Sequence, residues 1–355
     1  MAKLRIALVV LSLVLSILIG IALGSRGASS ASTAPGRKPL VIGLAMDTLK
    51  EARWQTDRDL FVRRAESLGA TVLVQDAGSK DDTQLQHVDS FISQGVNAIV
   101  IIPHDGRAMA EAVKRAHAAG IPVLSYDRLI TDCDLDLYVT FDNVKVGEAQ
   151  ARYLVDHLPM PGKGRIVRIY GAPTDNNAKL FKQGQDNVLK PYIDRGDITV
   201  LHEDWATDWQ PKVAKDIANA AITRHGLTFD AVLASNDGTA GGAIQALREE
   251  KAAGKILVTG QDADAAACQR IAEGSQTMTI YKPIKDLAPK AAELAVALAR
   301  GKPVVANAAI ANGQGDVPSV LLKIISVDKS NLDATVIKDG FRTRAEIYGD
   351  AAVSK

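Results

Sequence analysis

NAIVIIPHDGRAMAEAVKRAHAAGIPVLSYDR, residues 97–128, contains an apolar run (Ala98 to Ile102) and a polar turn (Pro103 to Gly106). A helix-like segment ending at Gly120 follows, then a second apolar run closing on Asp127-Arg128. Apolar run, 3.6-residue periodicity and apolar run again predict a strand–helix–strand unit of a parallel sheet. Such sheets bind ligands beyond the carboxyl ends of their strands, where Asp127 and Arg128 stand. The pattern recurs in DAVLASNDGTAGGAIQALREEKAAGKILVTGQDAD, residues 230–264. Asp105-Gly106 is matched by Asp237-Gly238, Ala118-Ala119-Gly120 by Ala252-Ala253-Gly254, and Asp127 by Asp262. Three matches in register predict two similar α/β lobes, each presenting a strand-end carboxylate to a shared cleft.

The rest of the chain fits two lobes. Its 355 residues, 47% hydrophobic and 23% charged, suit a folded globular protein, and a net charge of +1 excludes the basic excess of a nucleic-acid binder. Residues 1–36 begin with Lys3 and Arg5, continue as an apolar stretch from Ile6 to Gly24 and end in a Ser/Ala-rich tract. They read as a secretory signal peptide, with an uncleaved membrane anchor as the alternative; either implies export. The first lobe is expected over 37–143 plus 283–313 and the second over 144–282 plus 314–349. Three hinge crossings are expected near 142–146, 282 and 313, and a single strand over 320–327. Cys133 and Cys268 follow different copies of the repeat and are read as free thiols, because a bridge would hinder hinge motion.

The polar residues gathered at strand ends are Arg53, Asp127, Arg128, Asn176, Asn177, Asn236, Asp262 and Lys282. Trp54 and Trp209 stand beside them, and all three tryptophans, Trp205 included, are expected in loops. Carboxylate, amide and guanidinium groups engage neighbouring hydroxyls in pairs, while indole faces cover the C–H faces of a sugar ring. Together they describe a site for a neutral polyol. Other chemistries fit less well. Asp132, Asp134 and Asp136 alternate like a calcium loop, but Asn143 occupies the position of its closing Glu. The six histidines show no ligand spacing, and nucleophile-elbow, Walker and dinucleotide motifs are absent. The glycines at 238–242 open a helix that suits either a phosphate or, better, close packing. Asp127 and Asp262 as a hydrolase pair are disfavoured, because three nearby cations would keep both ionised. Neither an enzyme, a cofactor nor a metal is expected.

The motifs ARWQTDRDLF (52–61), SYDR (125–128), FDNVKVGE (141–148), DNNAKLF (175–181), ASNDGTAGGAIQAL (234–247), GQDAD (260–264) and YKP (281–283) carry a family resemblance. From Leu40 to Phe341 the chain resembles the periplasmic sugar-binding proteins of ATP-driven importers, and within that family its D-xylose-binding members. The resemblance implies a type I binding-protein fold, two doubly wound parallel-sheet lobes on a three-stranded hinge. It further implies that Arg53, Asp127, Arg128, Asn177, Asn236, Asp262 and Lys282 hydrogen-bond a pentose, that Trp54 and Trp209 sandwich its ring, and that Asn176 assists. The implied partners are a monosaccharide, a membrane permease and its ATPase, with the protein a periplasmic monomer. Two alternatives keep the fold: another ligand (ribose, arabinose, a hexose or a sugar acid), or a sensory input to a chemoreceptor or kinase.

Overall fold

The computed structural model describes residues 40–349, and the expectations for residues 1–36 lie outside them. The first lobe opens with β1 (Leu40–Met46), α1 (Ala52–Ser67), β2 (Ala70–Asp76) and α2 (Asp81–Ser93). It continues through β3 (Ala98–Ile101), α3 (Ala110–Ala118), β4 (Val123–Tyr126) and β5 (Leu137–Phe141). Every residue of β3, β4 and β5 is buried, as an apolar run covered by helices on both faces must be. Their sheet, completed by β11 (Ala308–Ala311) and β12 (Asp316–Leu322), has the order β11-β12-β5-β4-β3-β1-β2. It is parallel except for the β11–β12 pair.

The second lobe repeats the winding with α4 (Asn143–His157), β6 (Gly164–Tyr170), α5 (Asn176–Asp194), β7 (Ile198–Trp205) and α6 (Pro211–His225). It adds β8 (Ala231–Ala234), α7 (Asp237–Glu249), β9 (Leu257–Val258), α8 (Ala265–Glu273) and β10 (Met278–Tyr281). Its parallel sheet runs β7-β6-β8-β9, the same order as β2-β1-β3-β4. In both, the first strand lies between the second and third, so a crevice opens at the strands' carboxyl ends, where successive crossovers diverge. The repeated wording of the sequence is therefore a repeated topology.

After β10 the chain returns to the first lobe as α9 (Ile284–Ala299), whose Leu287, Ala288, Ala291 and Ala295 share a core with Phe61 and Ala65 of α1. Small residues on α9 bring the two helices close, and each large apolar side chain buried there stabilises the lobe by about 1.5–3 kcal/mol. The strand expected over 320–327 divides in two. β12 stays in the large sheet beside β5, while β13 (Ile325–Asp328) pairs antiparallel with β10. The third passage between sheets thus falls between Leu322 and Ile325, not near 313, because the polar turn at 312–315 merely joins β11 to β12. One glycine of α7 serves packing: a Cβ on Gly242 would lie 2.0 Å from the Pro211 carbonyl oxygen of α6. The contact is helix to helix. Cys133 and Cys268 are free and buried, and burial, then neighbouring carboxylates, pushes both thiols up to about 12.

Candidate functional site

The two repeat copies end in the same backbone device. Asp127 follows β4 with φ 62°, and its N–H donates to the Val139 carbonyl at 2.8 Å. Asp262 follows β9 with φ 99°, and its N–H donates to the Ile280 carbonyl at 2.7 Å. A left-handed turn after the strand is unfavourable for a residue with a Cβ, and aspartate tolerates it better than most. Here it swings each carboxylate out of its sheet and into the cleft. On the Asp127 carbonyl oxygen, Tyr138 (2.8 Å), Thr140 (2.7 Å) and Asn177 Nδ2 (3.0 Å) all donate. Behind Asp262, the Asp237 carboxylate accepts from the Asp264 N–H at 2.9 Å, from Thr279 at 3.0 Å and from Gln276 at 2.7 Å, fixing the loop from below.

Arg53, in the first turn of α1, bridges the carboxylates. Its guanidinium donates to Asp127, to Asp262 at 3.1 Å and, one helical turn on, to Asp57 at 3.2 Å. Lys282 Nζ meets the same Asp262 oxygen at 2.9 Å. Arg128 spans the lobes too, donating to Asp47 at 2.7 Å and Pro103 O at 3.1 Å on its own side and pairing through Nε with Asp175 at 3.0 Å on the other. Asn177 donates to Asp127 Oδ1 at 3.1 Å while accepting from Asn143 at 2.8 Å and Tyr138 at 3.2 Å. Asn236 caps α7, accepting from the Thr239 N–H at 2.8 Å.

These groups surround a cavity of about 390 Å³, within the range of small-ligand sites. Arg53, Trp54, Asp127, Arg128, Asn177, Trp209, Asn236, Asp262 and Lys282 all line it. Asn176 does not. As the first residue of α5 it faces a separate polar depression beside Asp105, Arg107 and Asp132, since neighbours at a helix start point apart by about 100°. The tryptophans also differ from expectation. Trp54 belongs to α1, where Arg53 and Arg128 lie 4.3 and 5.3 Å from its ring centre, and Trp205 ends β7 against Tyr170 at 4.8 Å, outside the cavity. Trp209 does stand in a loop, a single helical turn over Thr207–Trp209. Gly171 makes room for it, because a Cβ there would fall 1.9 Å from the indole ring. Asp132 and Asp136 pair with Arg107 (3.1 Å) and His117 (2.7 Å), occupied on the surface instead of converging on a cation.

Sequence reasoning missed Asp47, Asp57 and Asp175, each tied to one of the named cations. The signal for Asp57 was present in its position four residues after Arg53 on one helix face. Asp47 and Asp175 meet Arg128 only through the tertiary fold. With these three the balance changes: Asp47, Asp57, Asp127, Asp175 and Asp262 outnumber Arg53, Arg128 and Lys282. Burial would raise the Asp127 carboxyl, but Arg53, Lys282 and Arg128 outweigh it and hold the group below its usual range. At Asp57 burial wins over Arg53 and lifts the carboxyl to about 6. Burial likewise exceeds the pull of Arg128 at Asp175, which is raised.

The arrangement gathers charge-assisted donors and acceptors from two lobes around one cavity, with Trp54 and Trp209 in its lining, and it suits hydroxyl groups. A model of the periplasmic binding protein domain matches residues 42–303. The chain is 50% identical over 310 residues to the D-xylose-binding periplasmic protein of Escherichia coli (strain K12), covering 87% of this chain and 93% of that one. It is 35% identical to a multiple sugar-binding periplasmic receptor of Rhizobium radiobacter, over 84% of this chain and 90% of the relative. A solved carbohydrate-transporter solute-binding protein from Chloroflexus aurantiacus, in complex with D-glucose, superposes with a TM-score of 0.81 at 33% identity, over 86% of this chain and 98% of that one. Matching winding, matching strand-end carboxylates and similarity along most of its length place this chain in the family of periplasmic binding proteins.

Proposed function

We propose that this chain is the extracytoplasmic solute-binding component of a sugar ABC transporter, and that its cleft takes D-xylose. The observation that carries the reading is that strand-end residues from both lobes converge on one cavity of about 390 Å³, with Arg53 held by Asp127 of one lobe and Asp262 of the other. Half of the aligned residues are shared with a D-xylose-binding relative, which supports the choice of sugar. Sugar hydroxyls replace some of the direct contacts, bridge the lobes and favour the closed state by the difference in affinity between closed and open forms. The closed form then delivers the sugar to the membrane permease. As a binding protein of this family, the chain is not an enzyme.

The protein works in the periplasm, and we read residues 1–36 as its export signal and the protein as a monomer. N-terminal sequencing of the mature protein distinguishes a cleaved signal from a retained anchor. Each cation lining the cavity is already paired with a carboxylate, which disfavours a sugar acid. A hexose is the second reading, favoured by the glucose in the Chloroflexus aurantiacus relative. A link to a chemoreceptor or kinase keeps the same fold and is tested by loss of xylose-directed responses when the gene is deleted. The deciding experiment is calorimetric titration of residues 37–355 with D-xylose, ribose, arabinose, glucose and galacturonate. One-to-one binding of xylose near micromolar, about −8 kcal/mol, and tighter than the others, is expected. Preference for glucose would transfer the site to hexoses, and no binding of any sugar would overturn it.

A further inference from the structure

Asp175 lies at the foot of the cleft, 4% exposed, as the cap of α5. It holds three other groups of the site. Oδ1 accepts the Asn177 backbone N–H at 2.8 Å, while Oδ2 accepts the Trp209 indole N–H at 3.1 Å and pairs with Arg128 Nε at 3.0 Å. Two of these partners belong to the second lobe and Arg128 to the first. The Trp209 turn needs such an anchor. Asp208 and Trp209 both have left-handed backbones, with φ 51° and 56°. Among the described residues the indole packs on the apolar cluster of Val146, Met278, Ile280 and Phe181, the last at 6.3 Å and 64°, which gives its N–H no partner. Gly171 supplies space for the ring but no hold on it.

We infer that Asp175 is a positioning residue that couples lobe closure to the aromatic plate: one carboxylate oxygen receives both the indole of Trp209 and the guanidinium of Arg128 from the facing lobe. Opening the cleft withdraws Arg128 and leaves the indole contact as an ordinary hydrogen bond to a more hydrated carboxylate. Closing it builds a buried, charge-assisted cluster that fixes the indole plane. Trp209 is therefore set for stacking in the closed state, and sugar affinity depends on Asp175 through this coupling, beyond the residue's own place in the cavity lining. The inference rests on the sugar-site reading above.

The test uses the wild type, Asp175→Asn and Asp175→Ala, with Trp209→Phe to assign the indole resonance. D-xylose affinity is measured by calorimetry and exchange of the Trp209 indole N–H by NMR, with and without sugar. Thermal unfolding of each sugar-free variant checks folding, and the near-isosteric Asn variant keeps the test meaningful should Ala fold poorly. In the wild type, xylose is expected to slow indole exchange at least tenfold. Asp175→Asn is expected to weaken binding about 10-fold and Asp175→Ala about 100-fold, with the sugar-dependent slowing lost in both. Affinity within twofold of wild type in both variants overturns the inference, as does slowing that survives in both, which would leave Asp175 a purely structural part. Failure of the wild type to bind xylose overturns the sugar site itself and is distinct from either result.

Discussion

Arg53 is 6% exposed and meets three carboxylates, Asp57, Asp127 and Asp262. A buried guanidinium is stable only while its donors are matched, since breaking a buried pair leaves an uncompensated charge. Removing Asp262 strips one partner from Arg53 and the salt-bridge partner from Lys282, on the face where a sugar would sit. Asp262→Ala is therefore expected to lower xylose affinity by at least about 100-fold, roughly 3 kcal/mol, as for a lost charge-assisted contact. Cooperative unfolding should survive, because Asp57 and Asp127 still neutralise Arg53. Calorimetry and a melting curve on the same sample check both halves, and unchanged affinity would remove Asp262 from the site.

Among the elements, the contact of α6 with α7 depends on one hydrogen atom in place of a side chain. Gly242 packs against the Pro211 carbonyl, where a Cβ would approach to 2.0 Å. Gly242→Ala must push the helices apart, and overpacking of this kind costs about 1–3 kcal/mol. Urea unfolding should register that loss, and xylose affinity should fall with it, because Pro211 also lines the cavity. The helices and strands themselves were largely legible in sequence. Apolar runs such as Ala98–Ile101 and Ala231–Ala234 are short and stopped by polar turns, and glycines follow the periodic segments. The division between β12 and β13 was not. The residues from Val317 to Val327 form an almost continuous strand-like run, and the break is made by pairing with β5 on one side and β10 on the other.

Across the whole molecule, the buried acids set the response to pH. Asp57 and Asp264 are both raised to about 6, burial being the largest cause for each. A raised carboxyl binds its proton more tightly in the folded than the unfolded chain. Its contribution is complete below the unfolded value of 3.8 and is lost as pH rises through about 6. His104, raised mainly by its bond to Asp47, acts in the same direction near neutrality; His87, lowered by burial, opposes it. Asp47 and Asp127 are held low, so their contribution is lost only as pH falls below the ordinary carboxylate range. The sugar-free protein is thus expected to be more stable at pH 5.5 than at pH 7.5 and to weaken again in stronger acid. Asp57→Asn should flatten the first part of that curve, by an amount on the order of 3 kcal/mol at most. Melting temperatures from pH 4 to 8 for both proteins provide the check, and parallel curves would refute the assignment to Asp57.

Local chain chemistry dictated the alternation of strand and helix, the doubling of the lobe and the placing of Asp127 and Asp262 at matching strand ends, because periodicity and turn residues act over a few neighbours. Nine of the ten residues read together line one cavity, since loops and helix starts at strand ends share one crevice. Folding alone decided that Asn176 turns away while Asn177 turns in, that Gly171 leaves room for Trp209, and that Asp47 and Asp175 meet one guanidinium. Those outcomes depend on which atoms of distant segments arrive within hydrogen-bonding range. No periodicity or local propensity encodes such a distance; it is set when both lobes are packed and face each other.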